Sequence, residues 1–179
     1  MLKKLRLGGM WLGVVMLVPS ATLAQDAANP VSQSIRAQYQ PVKNNIVAAA
    51  HQVPEELYSF RPTEDVRSFG ELIGHLAFAQ FNICSGLLDQ PSPRPGNLEQ
   101  TLSTRADLVA AIEEAFAFCD EAYATATDAS LADEVSFFGG RSIRHYPLTF
   151  ALVHANEHYG NIVTYMRLND MVPPSSQGS

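Results

Sequence analysis

The residues best suited to chemistry in this sequence are two histidines near its C-terminal end. His154 and His158 are four residues apart, and because a helix turns by ~100° per residue, both imidazoles lie on one helical face. Ala151 and Ile162 share that face, so the pair is predicted to point into the protein. Neutral imidazoles are good ligands for zinc, nickel, copper and iron, and a core tolerates few polar rings without a shared partner. The alternative is that the rings only pack there, each with a satisfied hydrogen bond.

A third histidine is predicted to complete the site from another helix. His75 lies on the flank of an apolar stripe that contains Leu72 and Leu76. Two ligands from one helix and one from a facing helix leave coordination positions for water or substrate, as in reactive metal sites. His51 and His145 are interpreted as surface or capping residues, because they lie near the ends of predicted helices.

Four predicted helices must position these histidines. Apolar residues recur at helical spacing in four stretches: 33–52, 68–90, 104–126 and 147–168. Ser68 with Glu71, and Thr104 with Asp107, are typical of helix N-terminal capping. Pro41 predicts a kink or a late start of the first helix. Four helices of roughly 20 residues each predict an all-α fold, a four-helix bundle.

One connection is predicted to contain a small hairpin. Residues 135–138 and 141–143 flank Gly139-Gly140, and a Gly-Gly pair suits a two-residue turn.

The ends of the chain are predicted to lie outside the bundle. Residues 1–24 are typical of a cleaved secretory signal peptide, with a basic start, a short apolar run and small residues before the cut after Ala24. The apolar run falls short of the ~20 residues that a membrane-spanning helix needs. We therefore expect export to the periplasm or the medium, with a disordered segment at 25–32, the bundle at 33–170 and a flexible tail at 171–179.

The charge of the exported chain argues against nucleic-acid binding. The full sequence has 12 basic and 18 acidic residues. Removing Lys3, Lys4 and Arg6 leaves nine basic residues and a formal charge of −9. Such a surface repels phosphate backbones. No second apolar run is long enough to span a membrane, so we expect no membrane association after cleavage.

The two cysteines, Cys84 and Cys119, have no metal-binding or redox spacing. In an oxidising compartment a disulfide is expected, and two buried free thiols are the alternative.

Two stretches resemble the DinB-like superfamily. Residues 53–77, which include Phe60-Arg61-Pro62 and end with Ser-x-x-Glu-Leu-x-x-His75, are similar to the family's passage leading to its first metal-ligand histidine. Residues 154–174 are similar to its H-x-x-x-H-x-G-[QN] signature, followed by Tyr, Arg and Pro-Pro. Tyr159 departs from this pattern, in which Arg is frequent.

The resemblance implies that His75, His154 and His158 bind one divalent transition metal, with zinc first and nickel or iron as alternatives. It also implies an up-down-down-up bundle whose second and third helices are parallel. Cys84 and Cys119 would then lie at nearly the same height, as a disulfide requires.

Three functions are consistent with these patterns. The first is a metal-dependent transferase or hydrolase acting on an unidentified small molecule; characterised members of the family include thiol-S-transferases. The second is a metal- or ligand-binding protein without turnover, serving stress responses. The third is a structural bundle without metal. Glu157 is a candidate for the pocket, and its simpler interpretation is a solvated acid. Tyr165 is another candidate, and its simpler interpretation is a ring in the core. A homodimer is compatible with a bundle of this size.

Overall fold

The structure, a computed structural model, describes residues 28–178. Its helices are α1 (Pro30–Gln52), α2 (Phe69–Leu88), α3 (Leu98–Thr101), α4 (Arg105–Thr125) and α5 (His145–Leu168). Strands β1 (Glu134–Phe137) and β2 (Gly140–Ile143) form an antiparallel hairpin between α4 and α5. Short 3-10 turns lie at Glu55–Leu57, Ser130–Ala132 and Pro174–Ser176. The predicted signal peptide, residues 1–24, lies outside the described residues.

The two middle long helices, α2 and α4, are parallel. Gly70 lies against Leu108 near the start of both helices. Farther along, Cys84 and Cys119 form a disulfide with a Cα–Cα distance of 5.3 Å. The expected pairing of the two cysteines is therefore confirmed, and the parallel arrangement explains why they reach the same height.

The outer helix α1 runs in the opposite direction to α4. Tyr39, in the first half of α1, donates its hydroxyl proton to Asp120 at 3.1 Å, near the end of α4. At the other end of α1, His51 lies 2.7 Å from Glu113, nearer the start of α4. With α5 antiparallel to α2, the order is up-down-down-up, as predicted.

Local caps begin the two middle helices where the sequence predicts them. The backbone N–H of Glu71 donates to Oγ of Ser68 at 3.2 Å, and the carboxylate of Glu71 accepts from the backbone N–H of Ser68 at 2.6 Å. The Thr104 hydroxyl accepts from the backbone N–H of Asp107 at 3.1 Å. Each contact satisfies a donor that has no partner within the helix.

Helix α1 begins earlier than predicted, at Pro30. The expectation that residues 30–32 are disordered is wrong, because the carboxylate of Asp128 accepts from the backbone N–H groups of Val31 at 3.1 Å and Ser32 at 2.8 Å. The helix also has no late start at Pro41, which lies in its interior. The supporting carboxylate belongs to a distant segment, so local sequence does not indicate it.

The hairpin exists, but its turn lies one residue before the predicted Gly139-Gly140. Phe137 pairs with Gly140, which leaves Phe138 and Gly139 as the two turn residues. Their φ angles are +46° and +78°, and a two-residue turn that follows the strand twist requires positive φ at both positions. A phenylalanine therefore occupies a left-handed conformation that favours glycine or asparagine.

The residues after α5, expected to be a flexible tail, contact the bundle. Tyr159 donates its hydroxyl proton to Oγ of Ser175 at 2.9 Å. Gln52, at the end of α1, donates to the carbonyl of Val172 at 2.8 Å. Within residues 28–178, no helix combines the length and apolar character that crossing a bilayer requires.

Candidate metal centre

The three predicted ligands meet between α2 and α5. Nε2 of His154 lies 3.2 Å from Nε2 of His75 and 3.2 Å from Nε2 of His158. All three ligand atoms lie within 4.8 Å of one another. His158 is buried, with 9% of its surface exposed, and the other two rings are half-buried. The structure thus brings together the three histidines that the sequence selected.

These distances fit a tetrahedral metal site. Zinc binds imidazole nitrogen at about 2.0–2.1 Å, so two ligands of a tetrahedral ion are about 3.3–3.4 Å apart. The two contacts made by Nε2 of His154 are close to that value. Nε2 of His154 cannot satisfy both neighbouring nitrogens at once, because it can share a proton with only one of them at a time. A cation at their centre would satisfy all three.

Helix packing sets this convergence. Gln80, further along α2 than His75, donates to the carbonyl of Ala151 at 3.2 Å. At the other side of the site, Tyr165 donates its hydroxyl proton to the carbonyl of Arg67 at 2.8 Å. One contact between α2 and α5, and a second between α5 and the segment just before α2, therefore hold the rings against each other.

The electrostatic environment keeps the three rings neutral. Burial, together with the neighbouring His154 and His75, lowers the pKa of His158 to about 4. The pKa values of His75 and His154 are also lowered, in each case mainly by burial. Because only a neutral imidazole has a free lone pair for a metal, these shifts favour metal binding.

Sequence reasoning missed two charged residues beside the histidines. Glu99 lies on the one-turn helix α3, and its Oε2 is 3.2 Å from Nδ1 of His75. Its other oxygen, Oε1, accepts from Nε of Arg67 at 2.8 Å. Glu99 is an isolated acid in a connecting segment, so no spacing in the sequence connects it with His75.

The other two rings have different partners. The side-chain amide of Asn161 lies 3.5 Å from Nδ1 of His158. The ring of Phe150 stacks on His154 with a centroid distance of 5.8 Å. Nδ1 of His154 is buried and has no hydrogen-bond partner among the described residues. Among the described residues, Glu99 is the one carboxylate within hydrogen-bond distance of a ring nitrogen of the triad.

A cleft of about 580 Å³ opens beside the triad. His158, Arg67 and Glu99 are among its lining residues. Its other lining residues are Pro62, Thr63, Asp65, Val66, Leu72, Asn161 and Tyr165. The cleft is large enough for a small molecule beside His158, the one histidine of the triad among its lining residues.

Glu157, His51 and His145 lie where the simpler interpretations placed them, whereas Tyr165 fits both of its interpretations. Glu157 is exposed on α5, while Tyr165 is a buried ring that also lines the cleft. His51 contacts Glu113 at the surface. His145 is exposed at the first position of α5, nine residues or about 13 Å along the helix axis from His154.

The part of the sequence that forms this site matches a known family of proteins. Residues 38–162 match the DinB superfamily. The chain belongs to the DinB superfamily. The matched region includes all three histidines of the triad as well as Glu99. A comparison with curated protein sequences finds no match.

Solved structures of DinB-like proteins share the fold. A DinB-like protein from Bacillus cereus ATCC 10987 superposes with a TM-score of 0.67 and 17% identity, covering 79% of this chain and 95% of that one. A DinB-like protein from Bacillus subtilis gives 0.60 and 20%, covering 82% and 99%. A conserved protein from Enterococcus faecalis gives 0.60 and 16%, covering 77% and 96%. At these identities the likeness concerns the DinB fold alone.

Proposed function

We propose that this DinB protein binds one divalent transition metal through His75, His154 and His158. The observation that carries the proposal is the convergence of the three Nε2 atoms, two of whose separations are 3.2 Å. Three imidazoles suit zinc best, with nickel and iron as alternatives.

We further propose that the site is a metal-dependent hydrolase or transferase centre for a small molecule. Three protein ligands would leave a coordination position open, and the cleft, which His158 lines, would give a substrate access to it. A bound divalent ion would lower the pKa of a water or thiol at that position. Arg67 and Asn161 line the cleft and would bind and orient polar groups of the substrate.

A metal- or ligand-binding role without turnover is the second candidate, and one observation favours it. Glu99 and Tyr165 line the cleft, but both side chains already make hydrogen bonds to other groups of the protein. Glu99 contacts Arg67 and His75, and Tyr165 donates to the carbonyl of Arg67. Groups held in this way are poorly placed to move protons for a reaction.

Export to the periplasm or the medium is proposed on two grounds. Residues 1–24 are typical of a signal peptide, and Cys84 and Cys119 are paired in a disulfide. Disulfides persist in oxidising compartments and are rare in the cytosol. Fractionation of cells that express the full chain tests this, since a cytoplasmic, uncleaved product would contradict it.

The metal proposal is tested by elemental analysis of the exported protein, purified without a histidine tag. His154→Ala removes the ring that contacts both others, and His145→Ala is the matched control on the same helix. We expect near-stoichiometric metal in the parent and in His145→Ala, and its loss in His154→Ala. A metal-free parent that also fails to take up added zinc and nickel would overturn the proposal.

A further inference from the structure

We propose that Glu99 is the positioning residue of the metal centre, holding His75 with its proton on Nδ1 and its Nε2 lone pair directed at His154 and His158. This inference rests on the proposed metal function, although its first consequence is a property of the metal-free protein. A carboxylate acting through the far nitrogen of a ligating histidine fixes both the tautomer and the orientation of the ring.

The first support is the geometry of the carboxylate. Oε2 of Glu99 lies 3.2 Å from Nδ1 of His75, the ring nitrogen that faces away from the other two histidines. An ionised carboxylate can only accept a hydrogen bond, so Nδ1 must carry the proton. A neutral imidazole has one ring proton, and Nε2 is therefore left with a free lone pair.

The second support is that Glu99 is itself held in place. Nε of Arg67 donates to Oε1 of Glu99 at 2.8 Å, so each carboxylate oxygen has its own partner. The carbonyl of Arg67 in turn accepts from the hydroxyl of Tyr165 on α5. The side chains of Glu99 and His75 are each 21% exposed, which strengthens their hydrogen bond relative to one in open solvent.

The third support is the backbone packing that places Glu99 beside His75. Helix α3 lies directly on α2 at Gly74, the residue before His75. A Cβ at position 74 would lie 2.8 Å from the Cα of Glu99 and 3.1 Å from the carbonyl oxygen of Leu98. Such a distance to backbone atoms cannot be accommodated without moving α3. The absence of a side chain at Gly74 therefore allows α3 to approach closely enough for Glu99 to reach His75.

The test is made on the mature chain with its disulfide intact. Long-range proton–nitrogen NMR spectra of the ¹⁵N-labelled, metal-free protein at pH 8 distinguish the two tautomers of each histidine. Competition with a chelator then gives the zinc affinity of each variant. The variants are Glu99→Ala, Glu99→Gln and Gly74→Ala. Glu113→Ala is the matched control, because Glu113 also contacts a histidine, His51, but this pair lies on α1 and α4 and not on the two helices that carry the triad.

We expect His75 of the parent to carry its proton on Nδ1. In Glu99→Ala we expect a mixture of tautomers and a zinc affinity about 10–100-fold lower. Glu99→Gln should keep the tautomer and lose less affinity, because its amide oxygen still accepts from Nδ1. Gly74→Ala should resemble Glu99→Ala although it retains the carboxylate, and Glu113→Ala should resemble the parent.

Two results would overturn the inference. One is a parent in which His75 carries its proton on Nε2. The other is a folded Glu99→Ala protein whose His75 tautomer and zinc affinity equal those of the parent. A parent that binds no metal would contradict the metal proposal instead, and the metal-free spectra would still decide the role of Glu99.

Discussion

Nε2 of His158 lies 3.2 Å from Nε2 of His154, one helical turn away on the same face of α5. Two ring nitrogens at this distance cannot both carry a proton and a positive charge without strong repulsion. His75 faces the same point from α2. The cluster is therefore suited to a shared cation and opposes protonation in the metal-free protein.

This relationship predicts that the metal-free protein loses stability as the pH falls below the ordinary pKa of histidine. The pKa of His158 is lowered from 6.5 to about 4 in the folded state. Between these values the unfolded chain binds a proton that the folded chain does not, so the free energy of unfolding falls as the pH is lowered from 6.5 towards 4. Urea denaturation of the chelator-treated protein at several pH values measures this fall.

The comparison for this prediction is His158→Gln, which removes the titrating ring. We expect its free energy of unfolding to vary less steeply over the same pH range, whatever its absolute stability. Parallel curves for the parent and the variant would show that His158 does not titrate in this way.

Reduction of the disulfide is expected to lower the free energy of unfolding by about 2–4 kcal/mol. Cys84 and Cys119 are 35 residues apart, so the bond restricts a long loop of the unfolded chain. Urea denaturation with and without a thiol reductant measures the difference. In the double variant Cys84→Ala/Cys119→Ala the reductant should have no effect. Two reactive thiols in the exported, unreduced parent would contradict the prediction.

Adding a methyl group at two glycines is expected to change stability in opposite directions. A Cβ at Gly86 on α2 would lie 2.2 Å from the carbonyl oxygen of Ser136 on β1. Gly86→Ala must push the hairpin away and should cost about 1–3 kcal/mol. At Gly160 on α5 a Cβ meets nothing within 4 Å. Gly160→Ala should therefore stabilise the protein by about 0.5–1 kcal/mol, because alanine has less freedom to lose in a helix.

Denaturant midpoints of the two glycine variants test this pair. A Gly86→Ala protein as stable as the parent would mean that the hairpin is not packed against α2 as described.

The bundle itself was largely predictable from the sequence, because its signals are local. Helical spacing of apolar residues located the long helices, and the Ser68–Glu71 and Thr104–Asp107 pairs marked two of their starts within a residue. Capping contacts span three residues, so they form wherever those residues begin a helix. The disulfide followed once resemblance to the DinB family implied that α2 and α4 are parallel.

The candidate metal site was predictable in part. The four-residue spacing of His154 and His158 places both rings on one face of any helix, and the DinB motifs added His75. Glu99 could not be found in this way. It lies 24 residues after His75 in a connection without periodicity, and only the docking of α3 on Gly74 brings it to the ring.

The sequence by itself determined where the long helices form and that His154 and His158 share one helical face, since both depend on the repeat of the helix. The tertiary structure alone decided which residues distant in sequence contact the helices and the hairpin and so set their ends. Asp128 extends α1 back to Pro30 from more than 90 residues away, and the pairing of Phe137 with Gly140 moved the hairpin turn by one residue. Contacts between distant segments depend on how the whole chain packs, and local sequence patterns do not predict that packing.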